Sequence, residues 1–101
     1  MDRRRILHKL LVSALGSENV YFQPPASVKM TYPCIVYARE GDNVKHADNN
    51  PYRRMKRYEV TVIDRNPDSA IPDRIATFPR CRYVTFFTKD SLNHDIFSLY
   101  F

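Results

Sequence analysis

The alternating pattern of residues 53–64 constrains the fold more than any other feature of the sequence. Apolar side chains stand at every second position, at Tyr58, Val60 and Val62, with polar or charged ones between them. Because successive side chains of a strand point to opposite faces, this pattern predicts a strand with one buried and one polar face. Such a strand belongs in an antiparallel sheet that is covered on one side.

An amphipathic helix is predicted over residues 2–15. Its apolar residues recur at helical spacing: Ile6, Leu7, Leu10, Leu11, Ala14 and Leu15. The basic residues of this segment fall mostly on the other side of the helix. Asp2 can cap the start of the helix and Gly16 its end, so both boundaries carry a signal.

The rest of the chain is divided by its turn residues and prolines. Residues 17–32, with Pro24 and Pro25, read as an extended segment crossing the domain. Further elements are predicted in chain order: a strand at 34–39, a polar loop at 40–52, a short helix near 69–78 capped by Ser69, and strands at 80–88 and 95–101 around a turn at 89–94. The predicted fold is α+β, with an N-terminal helix, a four-stranded mainly antiparallel sheet and a second short helix. Both helices cover one face of the sheet, and the long loop joins the first two strands.

Length and composition limit the classes of protein that this chain can belong to. Its 101 residues suffice for one domain, residues 1–101, with one core. The net charge of +5 attracts anions, whether on nucleic acid or on acidic protein surfaces. Two glycines are too few for a glycine-cradled phosphate site, and no apolar run approaches the roughly 20 residues that span a bilayer. Cys34 and Cys81 fall on different predicted strands, and we favour free buried thiols over a disulfide.

No pattern of catalytic or metal-binding residues is apparent in the sequence. His46 and Asp48 share a polar loop, His94 and Asp95 share a predicted turn, and His8 lies on the first helix. None has metal-ligand spacing, so solvated side chains are favoured over a metal site. Because no serine or cysteine lies in a nucleophile motif, we expect a protein that is not an enzyme and that needs no cofactor.

Basic and aromatic residues are interleaved just before the alternating strand. Arg53, Arg54, Lys56 and Arg57 follow Tyr52. Such a pattern can track a nucleic-acid backbone and stack bases. It is also typical of a protein interface, or of an edge strand that charge protects from stray pairing. Without a recognition helix or an RNA-binding signature, we favour these last readings over nucleic acid.

Three stretches of the sequence resemble a family of small phage and prophage proteins. They are YFQPPASVKMTYPCIVYAR from residue 21, ADNNPYRRMKRYEVTVIDRNPDSAIPDRIATFPRC from residue 47, and FTKDSLNHDIFSLYF from residue 87. Their order resembles that of the tail-terminator, or tail-completion, minor tail and neck proteins of long-tailed non-contractile phages. The resemblance covers most of the chain and implies an N-terminal helix, a small antiparallel sheet and a second helix.

The resemblance also implies a structural role in virion assembly. A ring, typically a hexamer, would cap the tail tube, end its polymerisation and provide the head-tail joining interface. The implied partners are other copies of this chain, the tail tube protein and a head-closure or connector protein. DNA would pass through the ring lumen without specific binding, and no membrane is involved. The expected location is the host cytoplasm during assembly and then the virion neck.

The long loop, its basic stem and the first helix are the expected protein-interface regions, because long loops in compact domains are often functional. The candidate interface residues are Arg3, Arg4, Arg5, Asn43, Lys45, His46, Asn49, Tyr52, Arg53, Arg54, Lys56 and Arg57. Two alternatives remain open. One is a head-closure or connector protein of the same neck region, and the other is a small basic nucleic-acid-binding module.

Overall fold

A computed structural model describes residues 3–40 and 56–101 of the chain. Within these residues lie two helices and five strands, in the order α1 (Arg3–Leu15), β1 (Val20–Phe22), β2 (Cys34–Arg39), β3 (Arg57–Asp64), α2 (Ile71–Ala76), β4 (Cys81–Lys89) and β5 (Leu92–Tyr100). Neither of these helices has the length and apolarity needed to cross a membrane.

The strands form one mixed sheet in the order β1-β2-β3-β5-β4. β1 runs parallel to β2, with Val20 beside Ile35 and Phe22 beside Tyr37, and the other neighbours are antiparallel. The prediction of a four-stranded sheet is therefore wrong, because β1 adds a fifth strand and makes the sheet mixed. β1 lies in the segment that was expected to be extended but unpaired. Three residues are too few to show a strand period, and its pairing depends on β2, which is distant in sequence.

The core lies between the two helices and one face of the sheet, as the helical spacing and strand alternation predicted. The helices contribute Leu7, Leu11, Leu15, Ile71 and Ile75, and the strands contribute Val20, Ile35, Tyr37, Tyr58, Val60, Val62, Phe97 and Leu99. Arg74 of α2 donates from Nη1 to the carbonyl oxygen of Ala14 over 3.0 Å, which ties the second helix to the end of the first.

The helix ends agree with the sequence at one boundary and differ at another. Gly16 follows α1 with a φ of +85° and donates its N–H to the carbonyl of Val12 over 2.8 Å, so it ends the helix as predicted. The second helix is shorter than expected. Its N-cap is Ala70, which makes no side-chain cap bond, while Ser69 Oγ accepts from the N–H of Ile71 over 3.2 Å.

The hairpin between β4 and β5 is tighter than predicted. Only Asp90 and Ser91 separate the strands, with φ values of 55° and 64°. Two central residues at positive φ match the twist of a two-residue hairpin. The expected turn over residues 89–94 is therefore too long, and β5 begins three residues earlier than predicted.

Candidate protein-interaction site

β4 is the edge strand of the sheet and the most exposed strand in the structure. It pairs with β5 on one side only. Eight of its nine residues are exposed, and Cys81 at its start is half-buried. The backbone groups on the outer side of an edge strand are free to pair with another chain. β4 therefore combines an open strand edge with two accessible faces.

Large apolar side chains are concentrated on this strand. Tyr83, Val84, Phe86 and Phe87, here called the β4 patch, are between 42 and 50% exposed. They are four of the seven large apolar residues that are exposed in the described part of the chain. Single exposed apolar residues are common on soluble proteins, whereas a contiguous group usually marks an interaction site.

A β-bulge sets the directions of the patch side chains. Tyr83 lies opposite Phe97 and Thr85 lies opposite Ile96, so Val84 is the extra residue on β4. Beyond the bulge, Phe86 lies opposite Asp95, which shares a face of β5 with Phe97. Tyr83 and Phe86 are therefore both on the sheet face that carries the core. In a regular strand, residues three positions apart would point to opposite faces, and the bulge removes this difference. Phe87 is on the opposite face.

Contacts with β5 hold the patch rings in place. The ring of Tyr83 meets that of Phe97 edge-on, with centroids 5.3 Å apart, and its hydroxyl donates to Asp95 Oδ1 over 3.1 Å. On the other face the rings of Phe87 and His94 stack with centroids 4.5 Å apart and planes 11° apart. Side chains fixed in this way lose little conformational entropy when a partner covers them.

The opposite edge of the sheet offers much less to a partner strand. β1 has three residues and is followed by Gln23, whose φ is +45°. Pro24 and Pro25 follow, and neither has a backbone N–H to donate. Among the strands in residues 3–40 and 56–101, only β4 presents a long edge that another strand could extend.

A cationic recess lies on α1, away from the β4 edge. It has a volume of about 260 Å³ and is lined by Arg4, Arg5, His8 and Lys9. The guanidinium of Arg4 lies 4.5 Å from the centroid of the Phe22 ring. Burial, and after it the neighbouring Arg4, lowers the pKa of His8, which favours the neutral imidazole.

An apolar groove of about 230 Å³ lies beside the start of α1. Its apolar lining comes from the side of α1, the segment after α2 and the end of the chain: Leu10, Phe78, Pro79, Leu99, Tyr100 and Phe101. Arg3 stands at its rim, with its guanidinium 4.7 Å from the centroid of the Phe101 ring. This groove was not expected from the sequence, because its lining joins three segments that are distant along the chain.

The structure places the predicted interface residues on different surfaces. Arg3, Arg4 and Arg5 lie on α1. Lys56 is exposed beside β3, and its backbone pairs with Phe101. Arg57 Nε forms an ion pair with Glu40 Oε1 over 3.1 Å. Because Arg57 alternates with the buried Tyr58, its side chain lies on the sheet face opposite α1. The other predicted interface residues, and most of the long loop, lie outside the described residues. They are Asn43, Lys45, His46, Asn49, Tyr52, Arg53 and Arg54.

The sequence reading missed the β4 patch, although a signal was present. The run YVTFF at residues 83–87 has large apolar groups at both odd and even positions, as in a strand buried on both faces. At the edge of the sheet these groups are exposed instead.

Groups for catalysis or metal binding do not converge in the described structure. Within residues 3–40 and 56–101, no three His, Cys, Asp or Glu side chains are placed to hold a metal ion. His94 and Asp95, expected to share a turn, lie on β5 and point to opposite faces. His46 and Asp48 lie outside the described residues. Both cysteines carry free thiols, and burial raises the pKa of Cys34 to about 11, far from that of a reactive thiolate.

Comparisons of the chain with protein-family models, with curated proteins and with solved structures find no match. The β4 patch, the cationic recess and the apolar groove are therefore the features on which a functional proposal can be built.

Proposed function

We propose that this chain is a structural assembly subunit of the phage tail-terminator type, which acts by binding other protein subunits. The observation that carries this proposal is the β4 patch on an open strand edge. A strand of nine residues with four large exposed apolar groups presents both backbone hydrogen-bonding groups and apolar area. Another protein can satisfy both at once, whereas a small molecule cannot.

The energetics of the patch favour a covered state. Burial of apolar surface is worth about 25 cal/mol per Å², and a fully buried Phe or Leu side chain is worth roughly 1.5–3 kcal/mol. The patch side chains are already about half covered, so a partner gains roughly half of that amount at each position. These several kcal/mol, together with the backbone hydrogen bonds of a paired strand, offset part of the free-energy cost of association. Left uncovered, a long apolar edge promotes aggregation.

The resemblance to tail terminators supports the finer assignment. A ring of this type needs one contact between copies and separate surfaces for the tail tube and for the head-closure or connector protein. The β4 edge, the cationic recess on α1 and the apolar groove lie on distinct parts of the described structure. We infer that they serve different partners, with the cationic recess facing acidic groups. DNA in the lumen of the ring would pass without specific recognition.

The test is to mix the purified protein with tail tubes of the phage that encodes it and to image the tube ends. The proposal predicts a ring at one end of each tube and tubes of uniform length. Phe86→Asp should remove the ring, because it places a charge in the β4 patch. Val28→Asp makes the same chemical change at an apolar residue that is 38% exposed and lies off the sheet, and it should cap normally. Capping that survives Phe86→Asp would contradict the role of the patch.

A head-closure or connector protein would give a different result in the same experiment. It would bind to the neck side of isolated heads and leave bare tubes uncapped. Binding to heads alone, without any effect on tube length, would therefore replace the terminator assignment with this alternative.

The second candidate is a small basic nucleic-acid-binding module, which the cationic recess favours. Arg4, Arg5 and Lys9 could contact phosphates together. If phosphates are the partner, binding of duplex or single-stranded nucleic acid must weaken steeply as salt rises. Arg5→Glu should then abolish binding, while Phe86→Asp should leave it intact. Absence of binding at low salt would eliminate this candidate.

A further inference from the structure

We infer that, in the free protein, β4 pairs antiparallel with β4 of a second copy of this chain. The two-fold axis lies between the two β4 strands, level with the peptide bond that joins Val84 to Thr85. The two five-stranded sheets thereby join into one continuous sheet. This inference rests on the geometry of β4 and not on a role in the virion. It therefore goes beyond the proposed function.

The identity of the partner follows from the two edges of the sheet. A partner strand of matching length is needed to cover nine residues of β4. β1 of another copy cannot supply it, because β1 has three residues and is followed by Pro24 and Pro25. β4 itself is the one long open edge within the described part of each copy. A contact between two copies of the same edge is two-fold symmetric.

The bulge at Val84 selects the register of this pairing. Residues directly opposite each other in an antiparallel pair must share a sheet face. Tyr83 and Phe86 share the face that carries the core, although they are an odd number of positions apart. A two-fold axis at the Val84–Thr85 step sets each Tyr83 opposite the partner's Phe86. The interface then contains two aromatic cross-strand pairs, which are among the more stabilising pairs in sheets.

The same register is also favourable on the sheet face that points away from the helices. Arg82 lies opposite Ser98 and Phe87 lies opposite His94, so both point away from the helices. Pairing about the same axis sets Arg82 opposite the partner's Phe87, where a guanidinium can lie over the ring. An antiparallel register centred on Arg82 would instead set Arg82 opposite Arg82 of the second copy, and like charges placed opposite each other destabilise a sheet.

A two-fold contact joins two copies and leaves no free half, so it cannot by itself build a ring of subunits arranged head to tail. The paired form would therefore be the resting state of the free subunit, in which the aggregation-prone edge is hidden. Ring formation on a tail tube, which uses the β4 patch in the proposed function, would require the pair to separate. Pairing of free subunits would thus hold back assembly until a tube is present.

Cysteine cross-linking tests both the contact and its register. The two variants Tyr83→Cys and Phe86→Cys are prepared separately. Each replaces a residue that is 50% exposed, so the fold should be retained, and circular dichroism checks that it is. Opposed residues in an antiparallel pair have Cα atoms about 4.5–5.5 Å apart, within the range that a disulfide spans. After mixing and mild oxidation, disulfide-linked heterodimer should rise to as much as about half of the chains, since random exchange makes half of the pairs mixed.

The controls separate the possible results. Each variant oxidised alone, and the parent chain with its native Cys34 and Cys81, should remain almost entirely uncross-linked. Cross-linking of Tyr83→Cys alone at the level of the mixture would show that Tyr83 lies opposite Tyr83 of the second copy, in an antiparallel pair centred on that residue, and would overturn the proposed register. No cross-link in the mixture, together with a monomeric mass for the parent chain, would overturn the pairing itself. Neither result would affect the capping of tail tubes, so failure of this inference is distinguishable from failure of the proposed function.

Discussion

The hydroxyl of Tyr37 on β2 shares a hydrogen bond of 2.7 Å with Nδ1 of His8 on α1. Arg4 Nη1 donates a second hydrogen bond to the same oxygen over 3.3 Å. Tyr37 has no exposed surface, and its ring also contacts Phe22 and Tyr58. This polar contact at the margin of an apolar core fixes how the first helix lies on the sheet.

Tyr37→Phe should destabilise the protein by about 1–2 kcal/mol, because His8 Nδ1 and Arg4 Nη1 both lose their partner in a partly buried site. The measurement is the free energy of unfolding from urea titration. Tyr21→Phe is the matched control, since the Tyr21 hydroxyl accepts a bond from the N–H of Thr31 at an exposed site. The control should change stability by less than about 0.5 kcal/mol. Equal losses in the two variants would show that the buried contact has no special role.

The lowered pKa of His8 predicts a loss of stability in acid. Burial is the main cause and the charge of Arg4 adds to it, so the folded protein resists protonation of His8 more than the unfolded chain does. The unfolded chain then binds more protons below the usual histidine pKa of about 6.5, and stability falls as pH drops through and below that value. Above it the contribution is fully present.

The check is the free energy of unfolding measured at several pH values between about pH 5 and about pH 7.5. His8→Gln should flatten the dependence in this window, since glutamine does not titrate. His94→Gln is a suitable comparison, because His94 lies on the sheet face away from α1. An unchanged slope in His8→Gln would contradict the assignment of the effect to this residue.

Leu11→Ala should be the more damaging of two adjacent leucine truncations on α1. Leu11 is fully buried against the sheet, and its loss should cost about 2–5 kcal/mol through lost burial and a cavity. Leu10 is 43% exposed beside the apolar groove, so Leu10→Ala should cost less than about 1 kcal/mol. Thermal unfolding of the two variants measures the difference. Similar melting temperatures would show that α1 packs on the sheet through another face.

The sequence predicted the elements that carry a hydrophobic period of their own, which are β3 and α1. The alternation of Tyr58, Val60 and Val62 requires a one-sided strand, and all three are buried in β3. The spacing of Leu7, Leu11 and Leu15 likewise indicated the buried face of the helix, whereas Ile6 and Leu10, predicted on the same apolar face, are exposed. β1 was missed because a parallel pair is formed by residues distant in sequence, and three residues carry no period of their own.

The candidate site was less predictable than the fold. The first helix and the stem before β3 were both predicted to be interface regions, and the sheet separates Arg57 from α1. The β4 patch was not identified from the sequence, because apolar side chains on both faces of a strand usually indicate a central strand, and strand order is not visible in sequence. An edge position turns the same residues into an interaction surface.

Amide hydrogen exchange of β4, followed as a function of protein concentration, tests most directly whether another protein covers this edge. The outward amides of Cys81–Lys89 should exchange slowly in concentrated protein and rapidly after dilution, while the amides of β3 inside the sheet stay protected throughout. If the amides of β4 exchange rapidly at every concentration and also in the presence of tail tubes, the edge is not an interface, and the account of this protein as an assembly subunit is contradicted.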